Sequence, residues 1–362
     1  MLQKLITILI LLFLINTSFF NLENFKGYSS KSKQTEYSVT SLMQSKFINN
    51  KRWNENYFHE AQFPEQGITI FTNIIFTNSL FDKKSCKLNC IVTFKNQTRY
   101  VFNQNYDRDE IIAKKEGFSI KFKENYIELK GNNYKIHIED QNFNLNLNYE
   151  IINPPHIFGD GTITINSKNF LAFCQPIVGA YVTGNMHYKE KNIVLNGRGS
   201  VNHDYSVIAP IKTPRQWRSF WLYNDKYSIV IHTFVLLDNT QIDRVIIYKD
   251  NKLLKSFLNT GMKLDNMILD EKTNFSYPVS YTISYKDELG DEIQANINLT
   301  NITDKIQVFE YLSPLVYSVV CLAVGELYNY RFWARADINL KVNNEHEIIK
   351  ITGIGNYVDK AE

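Results

Sequence analysis

Phe143-Asn144-Leu145-Asn146-Leu147-Asn148-Tyr149-Glu150-Ile151 alternates apolar and polar residues without a break. Successive side chains of an extended chain point to opposite faces. Phe143, Leu145, Leu147, Tyr149 and Ile151 therefore line one face, and the three asparagines with Glu150 line the other. This is the pattern of a half-buried antiparallel strand. Shorter copies precede it: Ile120–Phe122, Tyr126–Lys130 and Tyr134–Glu139, separated by Lys123-Glu124-Asn125 and Gly131-Asn132-Asn133. Those spacings describe consecutive hairpins. The second half repeats the habit in Ser228–Leu236, then in Val245–Tyr248 and Leu253–Phe257 around Asp250-Asn251. Tyr281–Tyr285 and Ile293–Leu299 follow, turned by Glu288-Leu289-Gly290-Asp291. Helical periodicity is nearly absent, so the expected fold class is all-β.

Composition agrees. Aromatic residues make up 14% of the 362, with 22 Tyr and 24 Phe, which suits pleated, half-buried strands. A hydrophobic share of 44% against 21% charged residues excludes a disordered tail. With 40 Lys+Arg against 37 Asp+Glu the net charge is +3, which gives no electrostatic case for nucleic acid. The 15 Gly and 8 Pro are too few for a low-complexity chain, so turns lean on Asn and Asp. The length suits two domains, each able to bury a core.

A short echo places their boundary. Ile193-Val194-Leu195-Asn196-Gly197-Arg198-Gly199 runs on to Val201 and Asp204, and Ile348-Ile349-Lys350-Ile351-Thr352-Gly353-Ile354-Gly355 runs on to Tyr357, Val358 and Asp359. Two barrels ending in equivalent strands would produce it. The expected organisation is a signal segment over 1–20, an extension over 21–50, one barrel over 51–205 and another over 206–362.

Lys4 followed by the apolar run Leu5–Ile15 reads as a secretory signal, too short for a comfortable span. The expected location is outside the cell or in the lumen of the secretory route or periplasm. The alternative is an uncleaved anchor extended through Phe19 and Phe20, with membrane contact there. That compartment permits disulfides among Cys86, Cys90, Cys174 and Cys321, the first two close enough for a local bridge. Asn96, Asn274, Asn298 and Asn301 head sequons for glycosylation. No zinc spacing accompanies the cysteines and the histidines are scattered, so no metal constellation declares itself, and neither a P-loop nor a G-x-S-x-G occurs.

Chemistry-bearing residues concentrate twice. The first cluster holds His203, Asp204, Tyr205, Arg215, Trp217, Arg218 and Trp221. His203 beside Asp204 suits acid–base work, although neighbours on a strand face opposite ways. Trp217 and Trp221 share a face on a strand, as a core stripe or as the aromatic wall of a cavity. Arg215 and Arg218 read as headgroup anchors or as solvated loop charges. The second cluster holds Glu326, Tyr328, Tyr330, Arg331, Trp333, Arg335 and Asp337. Tyr330 and Trp333 join the candidate ligand-binding residues, and Glu326 the candidate acids.

The run Gly159-Asp160-Gly161-Thr162, Gly184, Gly197-Arg198-Gly199, His203, Pro210, Trp217, Tyr227-Ser228 and Phe234 resembles the tandem lipocalin-like superfamily. That superfamily includes AttH-type proteins, hydratases of the hydroxyneurosporene-synthase type and the survival-factor family of the oxidative-stress response. The survival-factor branch is the most similar over Phe158–Phe234, and Gly353–Asp359 resembles the closing strand of the hydratase branch. The resemblance implies two packed lipocalin-like barrels without a metal or organic cofactor, and a hydrophobic small molecule or lipid, ceramide-type in particular, as partner. An enzymatic member would be a cofactor-free hydratase, isomerase or cyclase on an isoprenoid, with His203, Asp204 and Glu326 as acids. The enzymatic branch carries D-H-N-W-G where this chain has Asn202-His203-Asp204-Tyr205, so binding or transfer of a lipid is the leading expectation. Purely structural barrels with filled interiors are the remaining one.

Overall fold

The computed structural model describes residues 37–46, 50, 53–77, 86–114, 117–157, 161–164, 170–207, 215–236, 238–308, 314, 317–318, 321–322 and 325–360. The signal-segment expectation for 1–20 lies outside the described residues. Among them, no helix is long and apolar enough to cross a membrane.

After a one-turn helix α1 (Val39–Met43), twelve strands form the first sheet. They are β1 (Trp53–Phe63), β2 (Ile68–Thr77), β3 (Cys86–Thr93), β4 (Arg99–Tyr106), β5 (Ile111–Lys114), β6 (Phe118–Phe122), β7 (Asn125–Lys130), β8 (Asn133–Asp140), β9 (Phe143–Ile151), β10 (Thr162–Thr164), β11 (Phe170–Tyr188) and β12 (Lys191–Val207). The second sheet holds β13 (Gln216–Tyr223), β14 (Tyr227–Val235), β15 (Gln241–Lys249), β16 (Lys252–Leu258), β17 (Lys263–Asp270), β18 (Phe275–Lys286), β19 (Glu292–Gln307), β20 (Leu327–Val342) and β21 (Glu345–Lys360).

Both sheets are antiparallel and obey one rule: the last strand pairs with the first. The order is β4-β3-β2-β1-β12-β11-β9-β8-β7-β6-β5, with β10 beside β11, and then β16-β15-β14-β13-β21-β20-β19-β18-β17. The free edges, β4 with β5 and β16 with β17, are consecutive in the chain, so each sheet curls until its edges face each other. Tyr106 of β4 packs on Phe122 of β6 with ring centroids 5.1 Å apart. Phe257 of β16 meets Tyr285 of β18 at 6.0 Å. The fold is thus nearly all-β, two lipocalin-like barrels in tandem, and curling leaves little unpaired edge.

Each barrel closes on its own core. Tyr57, Phe63, Ile74, Leu88, Phe122, Ile136, Leu145 and Tyr149 fill the first. Phe220, Ile229, Val245, Tyr281, Ile297, Phe332 and Ile351 fill the second. The G-x-G echo falls on the two closing strands, β12 and β21, where each crosses its barrel's first strand. A Cβ on Gly197 would overlap the carbonyl oxygen of Gln62, and one on Gly353 that of Trp221. Glycine is needed there because two backbones touch.

The disulfide expectation is corrected. All four cysteines are free thiols. Cys86 and Cys90 lie on one strand, four residues apart and both in the first core, rather than across a turn. The four sequon asparagines are exposed.

Candidate functional site

On β13, Phe220 and Leu222 point into the second core, so Trp217, Ser219 and Trp221 point out of that barrel. Trp221 is nevertheless only 1% exposed, because the first barrel covers it. Its indole lies 5.8 Å from the Phe58 ring and 6.5 Å from the Phe71 ring. Around it a third apolar cluster joins Phe71, Phe173 and Val178 of the first barrel to Tyr223, Val230, Ile246, Tyr248 and Ile354 of the second, with Trp333 at its margin. Trp221 and Trp333, both candidate ligand-binding residues, stand between the barrels. Trp217 is half-buried and lies opposite Phe234.

Polar groups are enclosed in the same layer. Glu60 shares the outward face of β1 with Phe58 and is 0% exposed. It accepts hydrogen bonds from Gln62 Nε2 (3.0 Å) and the Ser200 hydroxyl (3.2 Å). Burial pushes its carboxyl up to about 8, so at neutral pH it is an uncharged acid. Gln62 also donates to the Trp221 carbonyl across the junction (2.9 Å). His232 meets Ser219 Oγ through Nδ1 at 2.8 Å, while its Nε2 has no hydrogen-bond partner among the described residues. Burial, helped by the nearby Arg244 cation, lowers its imidazole to about 3. Phe173 sits edge-on to that ring at 4.8 Å. Arg244, 0% exposed, lies 5.9 Å from the Phe173 ring and 6.0 Å from the Phe234 ring. Gln175, on the same strand face as Phe173, is also fully enclosed, and neither of its side-chain polar atoms has a hydrogen-bond partner among the described residues. The Trp221 indole N–H lacks one too. Buried polar atoms are nearly always paired, so several unpaired at one aromatic layer are an exception to the rule.

A separate cluster occupies one pole of the first barrel. His203 faces inward, stacked on Tyr57 with ring centroids 4.3 Å apart. Its Nδ1–H donates to the Leu42 carbonyl of α1, and its Nε2 lies 2.7 Å from Glu55 Oε1. Glu55 also accepts from the Ser45 hydroxyl (2.6 Å), the Lys46 amide (2.8 Å) and the Tyr57 hydroxyl (3.2 Å). A carbonyl only accepts, so Nδ1 must carry a hydrogen, and one further proton lies between Nε2 and the carboxyl. The pair, both 0% exposed, ties residues 42–46 over the barrel end.

Apart from Tyr205, the remaining candidates do not join His203. Asp204 turns to the opposite face, where Asn56 Nδ2 donates to it (3.0 Å) and burial raises its carboxyl to about 6. Tyr205 lies 5.8 Å from the His203 ring. Glu326 accepts from the hydroxyls of Tyr317 (3.0 Å) and Tyr328 (2.8 Å) in the second barrel. Tyr330 points into the second core and donates to Asp270 (2.9 Å). Arg218 is inside that barrel, donating to Gln216 and toward the Met262 carbonyl (3.5 Å). Arg215 reaches Asn239 (3.3 Å) near the surface. No acid–base constellation of His203, Asp204 and Glu326 exists. The residues that sequence reading missed are Glu55, His59, Glu60, His232 and Arg244. The signal of the first three was present in the alternation Glu55, Tyr57, His59 against Asn56, Phe58, Glu60, but both faces carry an acid. Among the described residues no group of three or more His, Cys, Asp and Glu side chains could hold a metal ion.

A family model described as the Svf1 family matches residues 20–357. No curated protein sequence matches the chain. Among solved structures, CghA with Sch210972 superposes with a TM-score of 0.63 at 9% identity, covering 86% of this chain and 89% of that one. A putative AttH from Nitrosomonas europaea gives 0.63 at 10% identity, covering 92% and 100%. Kievitone hydratase from Nectria haematococca gives 0.57 at 10% identity, covering 93% and 97%. At such identities the likeness is one of fold.

Proposed function

Starting from the fact that this chain belongs to the Svf1 family, we propose that it binds or transfers a hydrophobic ligand, a lipid of sphingoid or isoprenoid type such as a ceramide, held between its barrels. The observation that carries this reading is the enclosed aromatic layer around Trp221, whose polar atoms on Gln175, His232 and Trp221 find no hydrogen-bond partner among the described residues. Both barrel interiors are packed with their own side chains, which favours the junction over either lumen. Native mass spectrometry and lipid extraction of protein purified from its own compartment should recover a bound amphiphile. Titration of a ceramide and fatty-acid panel should change tryptophan fluorescence. Protein that carries nothing and responds to no member of the panel would sink the proposal.

A second reading has one observation of its own. Glu60 is a carboxylic acid held uncharged in a dry, aromatic environment, the state a proton donor to an alkene requires. A cofactor-free hydratase, isomerase or cyclase would use it, and losing the donor would cost about 10²–10⁴ in rate. Chromatography of isoprenoid and sphingolipid candidates after incubation decides. Turnover abolished in Glu60→Gln with binding retained would promote the enzyme. The proposed compartment is the secretory route, on the strength of Lys4 and Leu5–Ile15. Amino-terminal sequencing of the mature protein checks it, and an intact Met1 start in a soluble cytosolic fraction would refute it.

A further inference from the structure

β17 pairs with β18 along one edge and, among the described residues, with no strand along the other. β16, the strand before it, lies against the far end of β18 instead: Phe257 meets Tyr285, and Lys255 pairs with Asp287 (2.7 Å). Both contacts lie past Thr282, where the pairing of β17 ends. The faces of β17 are uncovered as well. Leu264, Ile268 and Asp270 stand opposite Tyr281, Tyr277 and Phe275, which pack in or against the second core. Lys263, Asp265, Met267 and Leu269 therefore point away from the barrel. Yet Ile268, on the barrel side, is 46% exposed, close to the 47% of Met267 and 54% of Leu269 on the other side. Asn266 takes a left-handed φ of 53° at the start of this stretch.

Proteins guard free strand edges with charged side chains, because an open edge is a template for pairing with another chain. Two other free edges follow that rule, with Arg99 on β4 and Lys252 and Lys255 on β16. On β17 the single cation is its first residue, Lys263, and none occurs from Leu264 to Asp270. The edge presents three consecutive exposed aliphatic side chains in place of a guard. It also offers backbone N–H and C=O groups, which hydrocarbon would leave unsatisfied and a further strand would satisfy. Such an edge suits a strand, not a lipid surface.

We infer that β17 pairs antiparallel with β17 of a second copy of this chain, about a two-fold axis at Met267. Such an axis sets like faces opposite each other, so outward residues meet outward ones. Met267 then meets the partner's Met267, Asp265 meets the partner's Leu269, and Lys263 meets the partner's Glu271, an exposed position just past the strand. Opposite charges close both ends of an apolar centre. The neighbouring registers lose that match. Centring on Asp265 opposes two aspartates, and centring on Ile268 opposes Asp265 to the partner's Glu271. Centring on Asn266 or Leu269 sets Lys263 or Glu271 against an apolar side chain. A strand pair of this length falls short of the ~1,000 Å² of a stable interface, so the expected dimer is weak, with a Kd on the order of 10–100 µM.

Sedimentation velocity on the full chain between about 1 and 200 µM should show a monomer giving way to a dimer. Hydrogen exchange of the amides from Leu264 to Leu269 should slow over the same range. Met267→Lys opposes two ammonium groups at the axis and should weaken association about fivefold or more. Lys263→Glu should weaken it too, and Lys263→Glu combined with Glu271→Lys should restore it. All three positions are exposed, so the variants should keep the fold, which circular dichroism checks. A monomer at every concentration overturns the inference. So does a dimer indifferent to Met267→Lys, or one in which exchange over β17 does not slow. Failure of the paired charge reversal to restore association overturns the register at Met267. A monomer that floats with phosphatidylcholine vesicles, and no longer does so as Met267→Lys, assigns the edge to lipid and overturns the strand pairing.

Discussion

Replacing Glu60 by Gln makes the closure of the inter-barrel layer measurable as pH dependence. The Glu60 carboxyl titrates at about 8 in the folded chain against an ordinary value of 4.5. Between those values the unfolded chain has lost a proton that the folded chain keeps, so stability falls as pH rises through that window. At roughly 1.4 kcal/mol per unit, the cost reaches about 3 kcal/mol at pH 7 and levels off near 5 kcal/mol above pH 8, once the folded chain ionises too. Glu60 is fully enclosed, so solvent does not dilute that figure.

Other groups titrate in different windows. Asp204, raised to about 6, acts in the same sense, and its contribution is complete near that pH. His59 and His156, lowered to about 4, and His232, lowered to about 3, act in the opposite sense. Their neutral folded forms lose stability as pH falls below 6.5, and above it they contribute no slope. Urea denaturation at pH 7.0 and 8.0 therefore isolates Glu60. The wild-type chain should lose about 1 kcal/mol over that interval. Glu60→Gln, which can keep its contacts with Gln62 and Ser200, should show no such loss and should be the more stable protein at pH 8. Parallel stability curves for the two proteins above pH 7 would refute the argument, and with it the dryness of the layer.

His203→Ala leaves the Glu55 carboxyl buried without its main partner and should cost about 3–5 kcal/mol. The same change should raise hydrogen exchange over residues 38–46, since the Leu42 carbonyl loses its donor; unchanged exchange there would detach α1 from the pair. Trp221→Ala should cost about 3–5 kcal/mol and weaken ligand binding, because the cavity opens between the barrels. Trp217→Ala, at a half-buried position, should cost less; an equal effect on ligand titration would move the site. Reaction with a thiol reagent should be fast in the native protein at Cys321 and blocked at Cys86, Cys90 and Cys174, with all four reacting after denaturation.

The strand at 143–151 was legible because one of its faces meets water: the alternation of Phe143 to Ile151 reappears as β9 with the same limits. β13 gave no such guide. Gln216-Trp217-Arg218-Ser219-Phe220-Trp221-Leu222-Tyr223 is covered on one face by its own barrel and on the other by the neighbouring one, so polarity does not label the faces. A same-face pair at Trp217 and Trp221 could be read from spacing, but not which way it pointed. The partner of His203 was hidden for a different reason. Glu55 lies 148 residues away and meets it only through the β1–β12 register, which sets Tyr57 opposite His203. The G-x-G echo was legible as repetition, while its cause, backbone contact at the barrel seam, needs the fold.

The junction also carries a cost that packing alone does not explain. Leaving a buried polar group unpaired costs about 1–3 kcal/mol, so Gln175, His232 Nε2 and the Trp221 indole N–H together forgo several kcal/mol. That is comparable with the whole net stability of a typical domain, roughly 5–15 kcal/mol. Barrels selected only to adhere would fill these positions with apolar side chains of similar volume, which is often neutral or stabilising. Local choices that work against the fold tend to gather where function needs them. A partner molecule supplying the missing donors and acceptors would recover part of that loss, so binding at the junction should raise the melting temperature by more than its apolar area alone would give.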